Sequence, residues 1–269
     1  MAITTMDGLV SALAAGQKLD FFKASQTAEG AGTWHSLWKA AGNPPAGANP
    51  GSLAGAIPTD ATLGAFAFTN PGIAQLSYIV QAIASITTVG KLVLYDRLWH
   101  NSEMSGTQTV SETTLGAVPD LTRYTGTGSV GNELWAEFYT AIGATGATLN
   151  VKYKDEGGSD SSYATYVHPA NAESVGQMAH LQLLSPDTGI TKATAYHWSG
   201  TTSTAGNFGL TIIRRLVEIP LPLINAGMLL DAMALGMPQV KDDACLALMV
   251  QCSTTNTGII QGSFRLGQG

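Results

Sequence analysis

The stretch ELWAEFYTAIGATGATLNVKYKDEGGSDSSYATYV, Glu133 to Val167, sets the architecture. ELWAEFY and TLNVKY alternate in part between apolar and polar residues, the period-two pattern of half-buried strands. The glycine-bearing AIGATGA between them, Ala141 to Ala147, predicts a hairpin. KDEGGSD, Lys154 to Asp160, is a strong turn signal before a further strand at Tyr163–Val167. The same texture extends in both directions. Strands are expected at Lys91–Trp99, Gln177–Leu184, Ile190–Trp198, Phe208–Leu216, Ala244–Cys252 and Ile259–Leu266, punctuated by Gly, Ser and Thr. That spacing belongs to antiparallel sandwiches and barrels. Pro220 and Pro222 make the segment after Leu216 an edge or a crossover.

Towards the N-terminus the period changes. Met6, Leu9, Val10 and Leu13 form an apolar stripe that predicts a short helix over residues 4–15, with Thr4 or Thr5 as cap and Gly16 as stop. Ile73, Leu76, Val80 and Ile83 fit a second helix. Between them, residues 30–72 are rich in Gly, Ala and Asn and carry Pro44, Pro45, Pro50, Pro58 and Pro71. Proline at that density denies regular helix or a central strand. The segment therefore reads as an extended arm that carries Trp34, Trp38, Phe66 and Phe68. Aromatic residues on an arm need apolar surface, either on their own domain or on a neighbour. Deleting 30–72 is expected to leave a folded β body and to weaken assembly. The expected fold is mainly β: an antiparallel β-sandwich or barrel-like body with a short N-terminal helix and a Pro/Gly-rich extended arm. Its expected segments are an N-terminal helical piece (1–29), the arm (30–72) and the β body (73–269).

Composition narrows the function. Charged residues make up 12% of the 269-residue chain, half the usual ~25%. Glycine is abundant at 31 residues. Interface cores are depleted in Lys, Glu and Asp, whereas free monomers carry more charge for solubility. The balance therefore favours a subunit of an assembly. A net charge of -6 with no Lys/Arg-rich run argues against direct nucleic-acid binding. Val217–Leu235, the most hydrophobic region, is broken by Glu218, Pro220, Pro222, Asn225 and Asp231, so no membrane span is expected. The first residues lack the basic start of a signal peptide, and two cysteines make no disulfide framework, so folding in a cytosol is expected.

Motifs for chemistry are sparse. Gly126-Thr-Gly128-Ser-Val-Gly131 matches G-x-G-x-x-G, with Asp155 and Glu156 downstream. A dinucleotide fold needs an apolar strand before these glycines and a helix after them. Here polar residues precede and a strand follows, so an inter-strand loop is the better reading. Ser36-Leu-Trp-Lys39 matches S-x-x-K but lacks the accompanying S-D-N and K-T-G elements. His35, His100, His168, His180 and His197 stand singly, without the spacing of a metal site. Cys245 and Cys252, seven apart, read as small buried hydrophobes on opposite faces of a strand. Tyr95, Asp96, Arg97, Trp99 and His100 form the densest polar-aromatic cluster, in which Asp96 or Arg97 anchors a neighbouring loop or subunit. Arg214 and Arg215 are adjacent on a strand, so one is expected to face in and one out. No catalytic residue, cofactor or metal ligand is assigned.

Four segments, LYDRLWHNSEMSGTQTVS (94–111), NELWAEFYTAIGATGATLNVKY (132–153), STAGNFGLTIIRRLVEIPLP (203–222) and ACLALMVQCSTTNTG (244–258), resemble structural proteins of tailed bacteriophages. The resemblance runs through most of the chain and is one of texture, with no functional residues to carry over. It implies a non-enzymatic virion component, made in the bacterial host cytoplasm and packed in a shell or tail. The preferred station is a capsid decoration or cement protein that binds as a homo-oligomer, such as a trimer. Its partners would be its own copies and other virion proteins such as the major capsid protein. Alternatives are the major capsid protein itself, whose long charged spine helix has no counterpart in this sequence, or a tail or baseplate subunit. From another class, a glycan-binding β-sandwich could use Trp99, Trp135 or Trp198 as stacking platforms. The candidate inter-subunit contacts are Trp34, Trp38, Phe66, Phe68, Asp96 and Arg97.

Overall fold

Thr5 sits in extended backbone, and its Oγ1 accepts a hydrogen bond from the Gly8 amide (3.0 Å), the cap that starts helix α1 (Met6–Ala15). Gly16 ends it, as expected. Only Ala12 is buried, so Met6 and Val10 of the apolar stripe face outward. The chain then runs through β1 (Gln17–Ala24), β2 (Trp34–Ser36), β3 (Gly42–Asn43), β4 (Ser77–Ile86) and β5 (Gly90–His100). Next come β6 (Thr113–Thr114), β7 (Glu133–Thr140), β8 (Thr148–Asp155), β9 (Asp160–Val167), β10 (Gln177–Leu181) and β11 (Ile190–Trp198). The last elements are β12 (Asn207–Leu221), β13 (Met228–Asp231), α2 (Ala232–Leu235), β14 (Gln239–Val240), β15 (Leu246–Cys252) and β16 (Ile259–Gln268). This computed structural model describes residues 4–26, 29–73, 75–109, 111–171, 173–255 and 258–269. The fold is mainly β, with antiparallel sheets, one of which closes into a six-stranded barrel.

Two units share the chain. Unit 1 comprises Met1–Ala48, Thr59–Asp96 and Arg215–Gly269, and unit 2 comprises Asn49–Pro58 and Arg97–Arg214. Two of the divisions fall inside β5 and β12, and the other two bracket residues 49–58.

In unit 1 the larger sheet has the order β13-β4-β16-β1-β3, with β14 also paired to β4. β1 shows why the sequence makes this sheet. Leu19, Phe21 and Lys23 point inward, while Lys18, Asp20 and Phe22 point out. Phe21 stacks on Phe264 of β16 with ring centroids 5.3 Å apart, and Phe66 meets both edge-on at 6.2 and 6.0 Å. β15 pairs with β2 on one side and β5 on the other. It is buried on both faces, enclosing Cys252, and Cys245 just before it is buried as well; both are free thiols.

The helix expected around Ile73–Ile83 is instead strand β4, paired with β16 and β13. The register with β16 jumps from Gln81↔Arg265 to Ile79↔Leu266, which leaves Val80 as the extra residue of a β-bulge. The bulge lets Ile79 and Val80 both be buried, breaking period two and imitating a helical stripe.

In unit 2, β7 lies between β10 and β12. β8 lies between β9 and β11, with β6 beyond. The predicted hairpin between Glu133–Tyr139 and Thr148–Tyr153 is therefore absent, since the two strands belong to different sheets. Ala141–Ala147 is a link held by the 202–204 loop through Gly143 N–Thr204 O (3.4 Å) and Thr145 N–Thr202 O (3.3 Å). A Cβ on Gly143 would stand 1.6 Å from the Thr202 carbonyl, so the glycine serves close packing here and not a hairpin turn. The true hairpin is β8–β9, closed by KDEGGSD with Lys154 opposite Asp160. Residues 49–58 are stapled to the end of β5 by Trp99 Nε1–Ala54 O (3.0 Å) and Asn101 Nδ2–Leu53 O (2.9 Å).

Candidate interaction surface

The six residues expected to meet a neighbouring subunit fall in different places, and the structure buries five of them within their own unit. Phe66 and Phe68 join the core of unit 1. Trp38 donates from Nε1 to the Ala48 carbonyl (3.0 Å), and Gly47 packs flat on its ring, where a Cβ would come within 2.3 Å. Asp96 accepts the Cys245 amide at 2.9 Å. Arg97 is ion-paired with Glu137, both essentially without solvent exposure. These five side chains are thus interior to their own unit. Trp34 alone is half-buried. Arg215 and Lys91 lie over its ring at 5.3 and 5.6 Å, and both reach Glu218, at 3.6 and 3.3 Å. Arg214 does not turn inward as a lone partner to an outward Arg215. Both are half-buried, and Arg214 covers Tyr124 at 5.2 Å and donates to the Val130 carbonyl.

The buried polar groups act as scaffolding. Glu137 accepts from Arg97 and from Thr211 Oγ1 (3.2 Å), and Tyr139 OH donates to the Asn101 carbonyl (3.1 Å). Arg123 holds the carbonyls of Pro58 and Arg97 at 3.1 and 3.2 Å. In unit 1, Lys23 is the residue that composition and motif did not reveal. Its Nζ donates to the Ala40 carbonyl (3.0 Å), and burial pulls its pKa down to about 8. The signal was present in the alternation of QKLDFFKA. His35 Nε2 accepts the Gly30 amide at 3.0 Å, and burial holds its pKa near 4. Burial, with a contribution from Glu29, pushes the Cys252 thiol up to about 12, which keeps it unreactive.

The glycine-rich G-x-G-x-x-G segment forms a 3₁₀ turn over Gly126–Ser129 and leads into β7, with no helix to receive a pyrophosphate. Its would-be ribose partners serve turns. Asp155 Oδ1 accepts the Ser159 amide (2.8 Å), and Glu156 accepts the Thr188 hydroxyl (2.9 Å) and the Gly189 amide (3.2 Å). Among the described residues no three His, Cys, Asp or Glu side chains gather as a metal site. Trp99, Trp135 and Trp198 are all core residues, which removes the stacking platforms of the glycan reading.

The outer faces of the two larger open sheets differ. On the β6-β11-β8-β9 sheet of unit 2, Lys152 bonds Glu112 at 2.8 Å, Tyr163 donates to the same carboxylate, and His197 lies edge-on to Tyr163 at 5.2 Å. That face is polar. On unit 1's sheet, Phe22, Ile83 and Leu229 face outward, and Ile83 sits opposite Leu229 in the β4–β13 register. Leu223, Ile224 and Met233, the last 86% exposed, continue the apolar patch beside β13. A groove of about 330 Å³, lined by Asp20, Ile83, Ser85, Gly227, Gln261 and Gly262, runs along it. From Leu221 to Pro238 the only ionisable residue is Asp231, whose carboxylate is engaged with the Met233 and Ala234 amides at the start of α2 (3.1 and 3.0 Å). The sheet face as a whole is mixed, since Lys18 and Asp20 are exposed on β1, and its large apolar side chains gather at the β13 edge.

No family model, no curated protein and no solved structure matches the chain.

Proposed function

We propose that this chain is a non-enzymatic structural subunit of a tailed-bacteriophage virion, a decoration or cement protein that stabilises the head shell through contacts among its own copies and with the major capsid protein. The observation that carries the reading is the outer patch of unit 1. A chain with 12% charged residues concentrates exposed Ile83, Leu223, Ile224, Leu229 and Met233 around one sheet edge. Large apolar side chains left outside in this way suit a surface that is covered in an assembly. The phage-like texture of the sequence supplies the setting. Within that setting the decoration role is preferred over the major capsid protein, because the longest described helix spans ten residues and offers no long charged spine. Quantitative mass spectrometry of purified particles tests the reading. Hundreds of copies per particle are expected. A handful would move the protein to the tail or baseplate, and absence would remove it from the virion.

A further inference from the structure

β13 is an edge strand of unit 1, paired with β4 and with no strand on its far side among the described residues. Proteins blunt such edges with lysine, proline or a covering loop. Met228-Leu-Leu-Asp231 carries no lysine or proline, its one charge sits at its end in Asp231, and its inner residues stay partly open. Met228 and Leu230 pack against the unit 1 core but remain half-exposed, while Leu229 points outward and is 55% exposed. We propose that β13 pairs antiparallel with β13 of a second copy of this chain, about a two-fold axis through Leu229. The inference deepens the assembly reading above and rests on it only in taking a second copy as occupant.

The register is what selects that occupant. Residues opposite each other in an antiparallel pair share a face. With the axis at Leu229, Leu229 meets Leu229 of the second copy on the outer face. Since Ile83 is already opposite Leu229 on β4, an apolar row Ile83–Leu229–Leu229–Ile83 then crosses the joint. On the inner face Met228 meets Leu230 of the second copy, and each half-covered core is extended by the other. Asp231 falls opposite Gly227, so the two carboxylates lie at opposite ends of the pair, each already held by its own α2 amides. Moving the axis to Leu230 would set Leu229 against Asp231 and spoil the outer row. Moving it to Met228 would set Leu229 against Gly227 and lose the leucine pair, so the register about Leu229 is the one that both joins the apolar row and keeps Asp231 at the ends, as an isologous contact requires.

Two variants of the full chain test this. Leu229→Cys should form a disulfide-linked dimer under mild oxidation, while Asp231→Cys should link far less, because its position faces residue 227. The native thiols are buried and do not compete. Leu229→Lys, which places an edge-blocking charge at an exposed position, should weaken self-association at least tenfold in sedimentation equilibrium, with an unchanged circular dichroism spectrum. If the wild-type chain self-associates but Leu229→Lys associates equally well, β13 is the wrong surface and the assembly reading stands. A wild-type chain that stays monomeric at every concentration overturns the pairing, and particle composition then decides the virion reading separately.

Discussion

Arg97 and Glu137 form an ion pair where water is excluded. Removing one member of such a pair strands the other, which typically costs about 3–5 kcal/mol, while replacing both with apolar residues can be close to neutral. Arg97→Met should therefore lower the unfolding free energy by several kcal/mol in a urea titration, and adding Glu137→Leu should restore much of it. Lys23 gives the opposite lesson. Its folded pKa of about 8 lies below the ordinary 10.5, so the unfolded chain binds the proton more tightly. The burden is therefore fully present below about pH 8 and fades as pH rises towards 10.5, a difference on the order of 3 kcal/mol. Lys23→Met should stabilise the protein at pH 7, with the advantage shrinking by pH 10 in paired melting curves. His35 works at the other end. With a folded pKa near 4 against 6.5 unfolded, its contribution is present above about 6.5 and is lost as pH falls towards 4.

At the level of elements, the aromatic segment is where expectation and structure part most usefully. Phe66 is wedged against Phe21 and Phe264, so Phe66→Ala should cost about 3–5 kcal/mol, measurable by chemical denaturation. Removing 30–72 takes β2, Trp38, Phe66 and Phe68 out of unit 1 and should unfold that unit, contrary to the expectation of an intact β body. Proline spacing correctly told that residues 30–72 hold little regular structure, but it could not tell whose core the aromatics would enter. The strands from Lys91 onward were legible because β-branched and aromatic residues fall between glycine, serine and threonine punctuation. β4 was not, because the bulge at Val80 gives a strand the spacing of a helix. The 133–153 segment was half-legible: both strands form, yet glycines in the link fit a close-packed crossing as well as a turn. β13 was hidden inside a hydrophobic region whose proline-broken start drew attention away from Met228–Asp231.

For the whole molecule, the candidate surface was legible only as a deficit of charge. Composition indicated that some face would be covered, while locating it on unit 1 required the sheet order that places β13 at an edge. A contact made there by apolar side chains should barely respond to ionic strength. Self-association followed by sedimentation is expected to change little between about 0.05 and about 1 M NaCl, whereas an electrostatic contact would weaken as the screening length falls to ~3 Å. The two open sheets also differ: unit 2 presents a polar face, whereas unit 1's face carries Lys18 and Asp20 on β1 and gathers its exposed apolar residues toward the β13 edge.

The pairing of β1 with β16, Gln17 opposite Leu266, has a bearing on biosynthesis. A ribosome delivers β1 long before β16, the strand that completes its ladder. Unit 2, whose residues end at Arg214, is fully outside the exit tunnel well before then. Unit 1 must therefore wait, its first strand paired only with the two residues of β3, while its neighbour along the chain is free to mature. Such delayed long-range closure is slow and leaves sticky strands open to rival chains. Nascent molecules crowded on one messenger would meet that hazard first, and a chaperone would have its longest window of work on unit 1.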